Sequence, residues 1–144
     1  MSTVELALRV FIVDDEPPAR SRLRDLLHDC SEQVALEIVG EAGNGQEALD
    51  RLLETPADVV LLDIRMPQMD GIELAQHLNK LPKPPVIIFT TAYDAYAIKA
   101  FELHAIDYLL KPIRLKRLFE AVTRAREAVP VQTEVLRDLL PEPR

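Results

Sequence analysis

Apolar positions in this chain come in short unbroken runs, and four of the runs stop at a residue able to handle phosphate or a metal ion. Val10, Phe11, Ile12 and Val13 lead to Asp14 and Asp15. Val59, Val60, Leu61 and Leu62 lead to Asp63. Val86, Ile87, Ile88 and Phe89 lead to Thr90 and Thr91, and Tyr108, Leu109 and Leu110 lead to Lys111 and Pro112. Runs of this length, rich in β-branched residues, read as strands. Because they are continuous rather than alternating, they predict strands buried on both faces.

Stretches with helical spacing lie between the runs. Leu23, Leu26 and Leu27 share one face of a helix over 19–30, which begins behind Pro17 and Pro18, where proline is tolerated. A further strand is expected over 36–42. After the turn signal Gly43-Asn44-Gly45, a helix is expected over 46–54 and closed by Pro56. Asp70-Gly71 opens a helix running to about Leu81-Pro82, and Pro82, Pro84 and Pro85 stiffen the approach to the next strand. Asp94 is placed to cap a helix over 95–103. The last helix spans 114–129, with Leu115, Leu118, Phe119 and Val122 on one face. Strand and helix thus alternate five times, which argues for a parallel sheet covered by helices on both sides.

At 144 residues the chain fits one domain with a short tail. A domain of this size buries about two-thirds of its unfolded surface, so it needs no covalent staples. Hydrophobic residues at 48% and charged residues at 28% are ordinary for a soluble protein. Cys30 is the only cysteine. That excludes an intrachain disulfide and a multi-cysteine metal site, and it suits a reducing compartment. Residue 30 reads as a small apolar side chain late in a helix. The N-terminus has no signal-peptide pattern, and no apolar run approaches the roughly 20 residues of a membrane helix, so a cytoplasmic location is expected. The net charge of −7 argues against this chain alone gripping nucleic acid. Arg114, Lys116, Arg117, Arg124 and Arg126 form a basic stretch interrupted by Glu120 and Glu127, which reads as a solvated helix face.

If the four runs are neighbouring parallel strands, their carboxyl ends meet along one edge, where ligands of open α/β sheets bind. Asp14, Asp15 and Asp63 would repel one another strongly and call for a cation. A few hard oxygen ligands with room for water suit Mg²⁺. A carboxylate beside a metal and a lysine can attack phosphorus and form an acyl phosphate. Asp63, the single acid after its strand, is the candidate. Lys111 can reach a phosphoryl oxygen, and a threonine hydroxyl can donate to another. Strand alternation turns Thr90 and Thr91 to opposite faces, and physics alone does not choose between them.

These motifs, in this order and spacing, resemble the receiver domain of bacterial two-component response regulators over about residues 9–128. The segments are Val13-Asp14-Asp15, Asp63-Ile64-Arg65-Met66-Pro67-Gln68-Met69-Asp70-Gly71, Thr91-Ala92 and Lys111-Pro112. The stretches from Phe89 to Phe101 and from Ala105 to Pro112 resemble receivers of the LytTR (LytR/AlgR-like) class, which normally carry a C-terminal DNA-binding domain. The resemblance implies a flavodoxin-like (βα)5 doubly wound sheet of order 2-1-3-4-5. It implies that Asp63 accepts a phosphoryl group from a sensor histidine kinase. Asp15 would bind Mg²⁺ directly, Asp14 largely through water, and the backbone carbonyl of Arg65 would join Asp63 in completing the protein ligands. Thr91 would follow the phosphoryl group, Tyr108 would swing inward behind it, and Lys111-Pro112 would be a cis peptide.

Residues 1–129 then form the receiver and 130–144 a linker or tail toward an output domain that the sequence does not contain. Pro130, Pro141 and Pro143 flank a segment that fits one or two helical turns. Phosphorylation adds about −1.5 to −2 charge and would change the face formed by the fourth helix, fifth strand and fifth helix. That face includes Tyr96, Lys99, Phe101, Glu102 and Tyr108, and it is expected to pair two receivers, with its basic residues meeting acids on the partner. Plain core packing is the competing reading of the aromatics, above all Phe101. Arg65 and Tyr93, two residues beyond Asp63 and Thr91, are large and position no water, so self-dephosphorylation should be slow and turnover is not expected. A stand-alone receiver acting by protein contact is the main alternative. An Mg²⁺-dependent phosphatase with an aspartate nucleophile fits less well, because its usual signature spaces the acids as Asp-x-Asp and here Asp14 and Asp15 are adjacent.

Overall fold

The structure, a computed structural model, describes residues 6–129; the tail expected over 130–144 lies outside them. In chain order the elements are β1 (Leu8–Val13), α1 (Pro17–Cys30), β2 (Leu36–Ala42), α2 (Gly45–Glu54), β3 (Val59–Asp63), α3 (Gly71–Leu78), β4 (Val86–Thr91), α4 (Ala97–Glu102), β5 (Asp107–Leu110) and α5 (Leu115–Ala128). All strand pairs are parallel and the order is β2-β1-β3-β4-β5, as the resemblance implied.

Each apolar run feeds two cores, because successive strand side chains point to opposite faces. Val10, Ile12, Val59, Leu61 and Ile88 pack beneath α1 and α5 with Leu23, Leu27, Leu118 and Val122. Phe11, Val13, Val60, Leu62 and Phe89 pack beneath α2, α3 and α4 with Leu52, Leu74, Leu78 and Ala100. β1 and β3 are therefore buried on both sides. At the edge strand the register slips once, from Val10↔Ile38 to Phe11↔Gly40. The Phe11 ring fills the space at Gly40, where an added Cβ would stand 2.6 Å from it, so the bulge and the glycine answer the same ring.

Several boundaries differ from the pattern. α3 stops at Leu78, short of Leu81. Lys80 and Leu81 close it with tighter i to i−3 bonds, because Pro82 disfavours helical dihedrals at the residue before it. The expected helix over 95–103 is a 3-10 turn at Asp94–Tyr96 followed by α4. Asp94 caps nothing: Tyr93 occupies the position before the turn, with no side-chain cap. On α5, Leu118 and Val122 are buried and Phe119 packs at the margin, but Leu115 is exposed. The inward stripe continues through Ala121 and Ala125, whose small side chains carry a weaker apolar signal than the leucines. Among the described residues no helix is long and apolar enough to cross a membrane.

Candidate functional site

Strand order reverses at β1, which has β2 on one side and β3 on the other. The carboxyl ends of β1 and β3 bring Asp14, Asp15 and Asp63 to one edge, and β5 delivers Lys111 to the same place. The Asp14 carboxylate is fully buried, with both oxygens satisfied. Oδ1 accepts the Glu16 backbone N–H at 2.9 Å and Oδ2 accepts the Lys111 ammonium at 2.7 Å. A buried charge is tolerated only when paired in this way. Lys111 Nζ also lies 3.6 Å from Asp63 Oδ2, so one ammonium bridges acids from two strands. The Lys111-Pro112 peptide is cis.

Asp63 is nearly as buried as Asp14, at 4% exposure. Its pKa is pushed up to about 7, first by burial, then by the charge of Asp14 and less by Asp15, against the lowering effects of Lys111 and the Arg65 backbone N–H. Burial works to lower the Lys111 pKa, but the Asp14 hydrogen bond and the charges of Asp63, Asp14 and Glu16 hold it above the ordinary lysine value. The carboxylates of Asp14, Asp15 and Glu16 approach one another within 4.8 Å. Asp63 is not in that trio, but it lines the same open cleft of about 640 Å³ with Asp15, Glu16, Arg65, Tyr93 and Lys111. The donor set is all hard oxygen and crowded with negative charge, which fits a small dication such as Mg²⁺ rather than a softer metal.

The loop from β3 to α3 is shaped by its own residues. Asp70 caps α3, its side chain accepting the Glu73 N–H at 2.9 Å. Gly71 donates its N–H to the Ile64 carbonyl at 2.8 Å. A Cβ at Gly71 would stand 2.3 Å from the Asp63 carbonyl oxygen, so only glycine lets the chain return so close behind the acid. Gln68, at the loop's tip, holds a positive φ of 67°.

Thr90 and Thr91 are both fully buried within β4. Alternation puts Thr91 on the face shared by Phe89 and Tyr108, residues paired across β4 and β5. The Thr91 hydroxyl accepts the Tyr93 N–H at 3.2 Å, whereas the Thr90 hydroxyl has no hydrogen-bond partner. The Tyr108 hydroxyl accepts the Tyr96 N–H at 3.3 Å and donates to the Tyr93 carbonyl. It thereby ties the residue before the 3-10 turn to the turn's last residue. Arg65 lays its guanidinium over the Tyr93 ring, 4.6 Å from the centroid.

Two contributors escaped the sequence reading. Glu16 stood in view as a third consecutive acid. Arg20 gave no signal: its guanidinium donates to the Asp14 carbonyl at 2.6 Å and lies 3.4 Å from Glu41, a contact that exists only because α1 and β2 flank β1. Two of the basic residues of α5 find partners inside the chain. Arg117 and Arg124 both pair with Asp107, at 3.0 and 2.9 Å, and Arg117 also reaches Glu120. Both arginines remain about half exposed.

Residues 10–123 match the family described as the response regulator receiver domain. The sensory transduction protein LytR of Staphylococcus haemolyticus is 44% identical over 128 residues, covering 89% of this chain and 49% of LytR. The transcriptional regulatory protein BtsR of Salmonella typhi is 49% identical over 120 residues, covering 83% of this chain and 48% of BtsR. The chain thus spans about half the length of either relative. Among solved structures, the response regulatory domain of protein mrkE from Klebsiella pneumoniae superposes with a TM-score of 0.76 at 36% identity, covering 84% of this chain and 97% of that one.

Proposed function

The chain belongs to the response regulator receiver domain family, and from that premise we propose that it is a phospho-acceptor switch in which Asp63 takes a phosphoryl group from a sensor histidine kinase. The observation that carries this reading is the Asp63 carboxylate itself. It is buried at the end of β3, open to a cleft on one side, with a lysine 3.6 Å away and two further acids beside it. In the transfer an Asp63 oxygen attacks phosphorus, the bond from phosphorus to the kinase histidine nitrogen breaks, and the released imidazole takes up a proton.

Mg²⁺ would be held by Asp14, Asp15, Asp63 and the Arg65 carbonyl. When bound it supplies positive charge against the transferring group and the crowded acids. The chain's own residues do the rest. Lys111 exchanges its hold on Asp14 and Asp63 for a phosphoryl oxygen, the Thr91 hydroxyl donates to another, and Tyr108 moves in behind Thr91. Arg65 and Tyr93 present no amide or acid to orient a hydrolytic water, so the phosphorylated domain should survive for many minutes. The domain resets once per signal and is not a turnover enzyme.

We assign residues 1–129 to the receiver and 130–144 to a linker toward a LytTR-type DNA-binding output. The relatives' regulatory names and greater length support this. The switch is read out through a homodimer formed by α4, β5 and α5, in the cytoplasm. The test is intact mass after incubation with a small phosphodonor and Mg²⁺. Wild type should gain one phosphoryl group, with a half-life of many minutes, and Asp63→Asn should gain none. No gain in wild type defeats the acceptor reading, and a half-life of seconds defeats the hydrolysis argument.

A further inference from the structure

Tyr93 is tied at three points to three residues that belong to different parts of the machinery. Its backbone N–H rests on the Thr91 hydroxyl at 3.2 Å. Its carbonyl accepts the Tyr108 hydroxyl. Its ring lies beneath the Arg65 guanidinium at 4.6 Å. Arg65 comes from the loop after Asp63, Thr91 ends β4, and Tyr108 lies on β5. Asp63, Arg65 and Tyr93 line one cleft, and Tyr93 remains 48% exposed at its wall.

Resting on the acceptor reading above, we propose that Tyr93 is the positioning residue through which occupancy of the Asp63 cleft reaches Tyr108, with the Arg65–Tyr93 stack as the detector. A phosphoryl group on Asp63 brings a near-dianion with strong acceptor oxygens into the cleft. Two of the three partners of Tyr93, the Arg65 guanidinium and the Thr91 hydroxyl, are donors suited to those oxygens. A charge-assisted bond from arginine to phosphate is stronger than a solvent-exposed cation–π contact, so Arg65 leaves the ring. Thr91 rotates its side chain to donate to the new anion, which carries Oγ away from the Tyr93 amide it had accepted. Tyr93 then has only its carbonyl bond to Tyr108. The segment it anchors, the 3-10 turn of Asp94–Tyr96 leading into α4, is then free to move as one with the Tyr108 hydroxyl. The segments Asp63-Ile64-Arg65 and Thr91-Ala92-Tyr93 are thus two arms of one device rather than two independent walls.

The test uses 3-fluorotyrosine incorporation and ¹⁹F NMR on the chain, with loading read by intact mass. In wild type, phosphorylation should shift the resonances of both Tyr93 and Tyr108. In Tyr93→Leu, which keeps both backbone bonds and removes the ring, the Tyr108 shift at equal loading should fall to about half or less of its wild-type size. Arg65→Gln should give the same loss through the other partner. Tyr93→Phe, which retains an aromatic face and loses a hydroxyl that makes no contact used here, should keep the shift. A Tyr108 shift of wild-type size in both Tyr93→Leu and Arg65→Gln overturns the inference while leaving Asp63 as acceptor. Absence of phosphoryl mass in wild type overturns the acceptor reading and this inference with it.

Discussion

Asp63 sits where its own charge is least welcome, and that has a measurable cost. Buried beside Asp14 and Asp15, its carboxyl is pushed up to about 7 in the folded protein, against about 4 in an unfolded chain. A raised carboxyl pKa means that the native state binds the extra proton between those values, so stability falls as pH rises through that window. Asp63→Asn removes the penalised charge while keeping shape. Without metal at pH 8, the variant should melt higher than wild type by on the order of 5 °C, the effect of about 1–2 kcal/mol in a domain of this size. The gap should close toward pH 4, and Mg²⁺ should raise the melting temperature of wild type far more than that of the variant. A scanning-calorimetry series in pH and Mg²⁺ checks all three. At this scale the sequence was informative about residue type and silent about satisfaction. It placed Asp14, Asp63 and Lys111 at strand ends. Only the fold shows that Lys111 spans both acids and that Thr91, not Thr90, has a partnered hydroxyl.

The elements came out of the hydrophobic pattern nearly intact, and the departures share one cause. α3 is cut short by Pro82, and the helix expected over 95–103 is divided because Asp94 lies inside its first turn rather than before it. Neither end could be read from apolar spacing, since both depend on how the last backbone groups are satisfied. The loop between β3 and α3 poses a similar problem. Its tip requires a left-handed residue, and the chain supplies Gln68 at φ 67°. L-residues with a side chain adopt that region at a cost of about 1–2 kcal/mol, offset in part by the greater unfolded-state entropy of glycine. Gln68→Gly should therefore stabilise the domain by about 0.5–1 kcal/mol, seen as a higher urea midpoint with an unchanged slope.

Across the whole molecule, one surface stands out by what it leaves uncovered. Ile98 and Phe101 on α4 are 77% and 82% exposed, and Leu110 of β5 and Leu115 of α5 are half-exposed. Phe101 is thus not core, and packing covers little of its apolar area. For the proposed homodimer this face supplies the apolar centre, while Arg117 and Arg124, held by Asp107, act as its rim. Phe101→Ser should leave the fold unchanged, because most of that ring faces solvent, and should abolish dimerisation induced by a phosphoryl mimic in sedimentation velocity. Dimerisation of the variant at wild-type strength would remove this face from the proposal. The sequence by itself determined the strands, the two-sided burial of β1, β3 and β4, and the residue types at the carboxyl ends; the same expectation fails for β5, which lies at the sheet edge and leaves Leu110 exposed. The features it determined follow from local periodicity and from turns, which act over a few residues. Only the tertiary structure decided which side chains meet across long separations: Lys111 with Asp14, Arg20 with Glu41, Arg65 with Tyr93, and Tyr108 with the backbone of Tyr93. Such contacts depend on strand order and on the lateral placement of loops, and no local pattern encodes them.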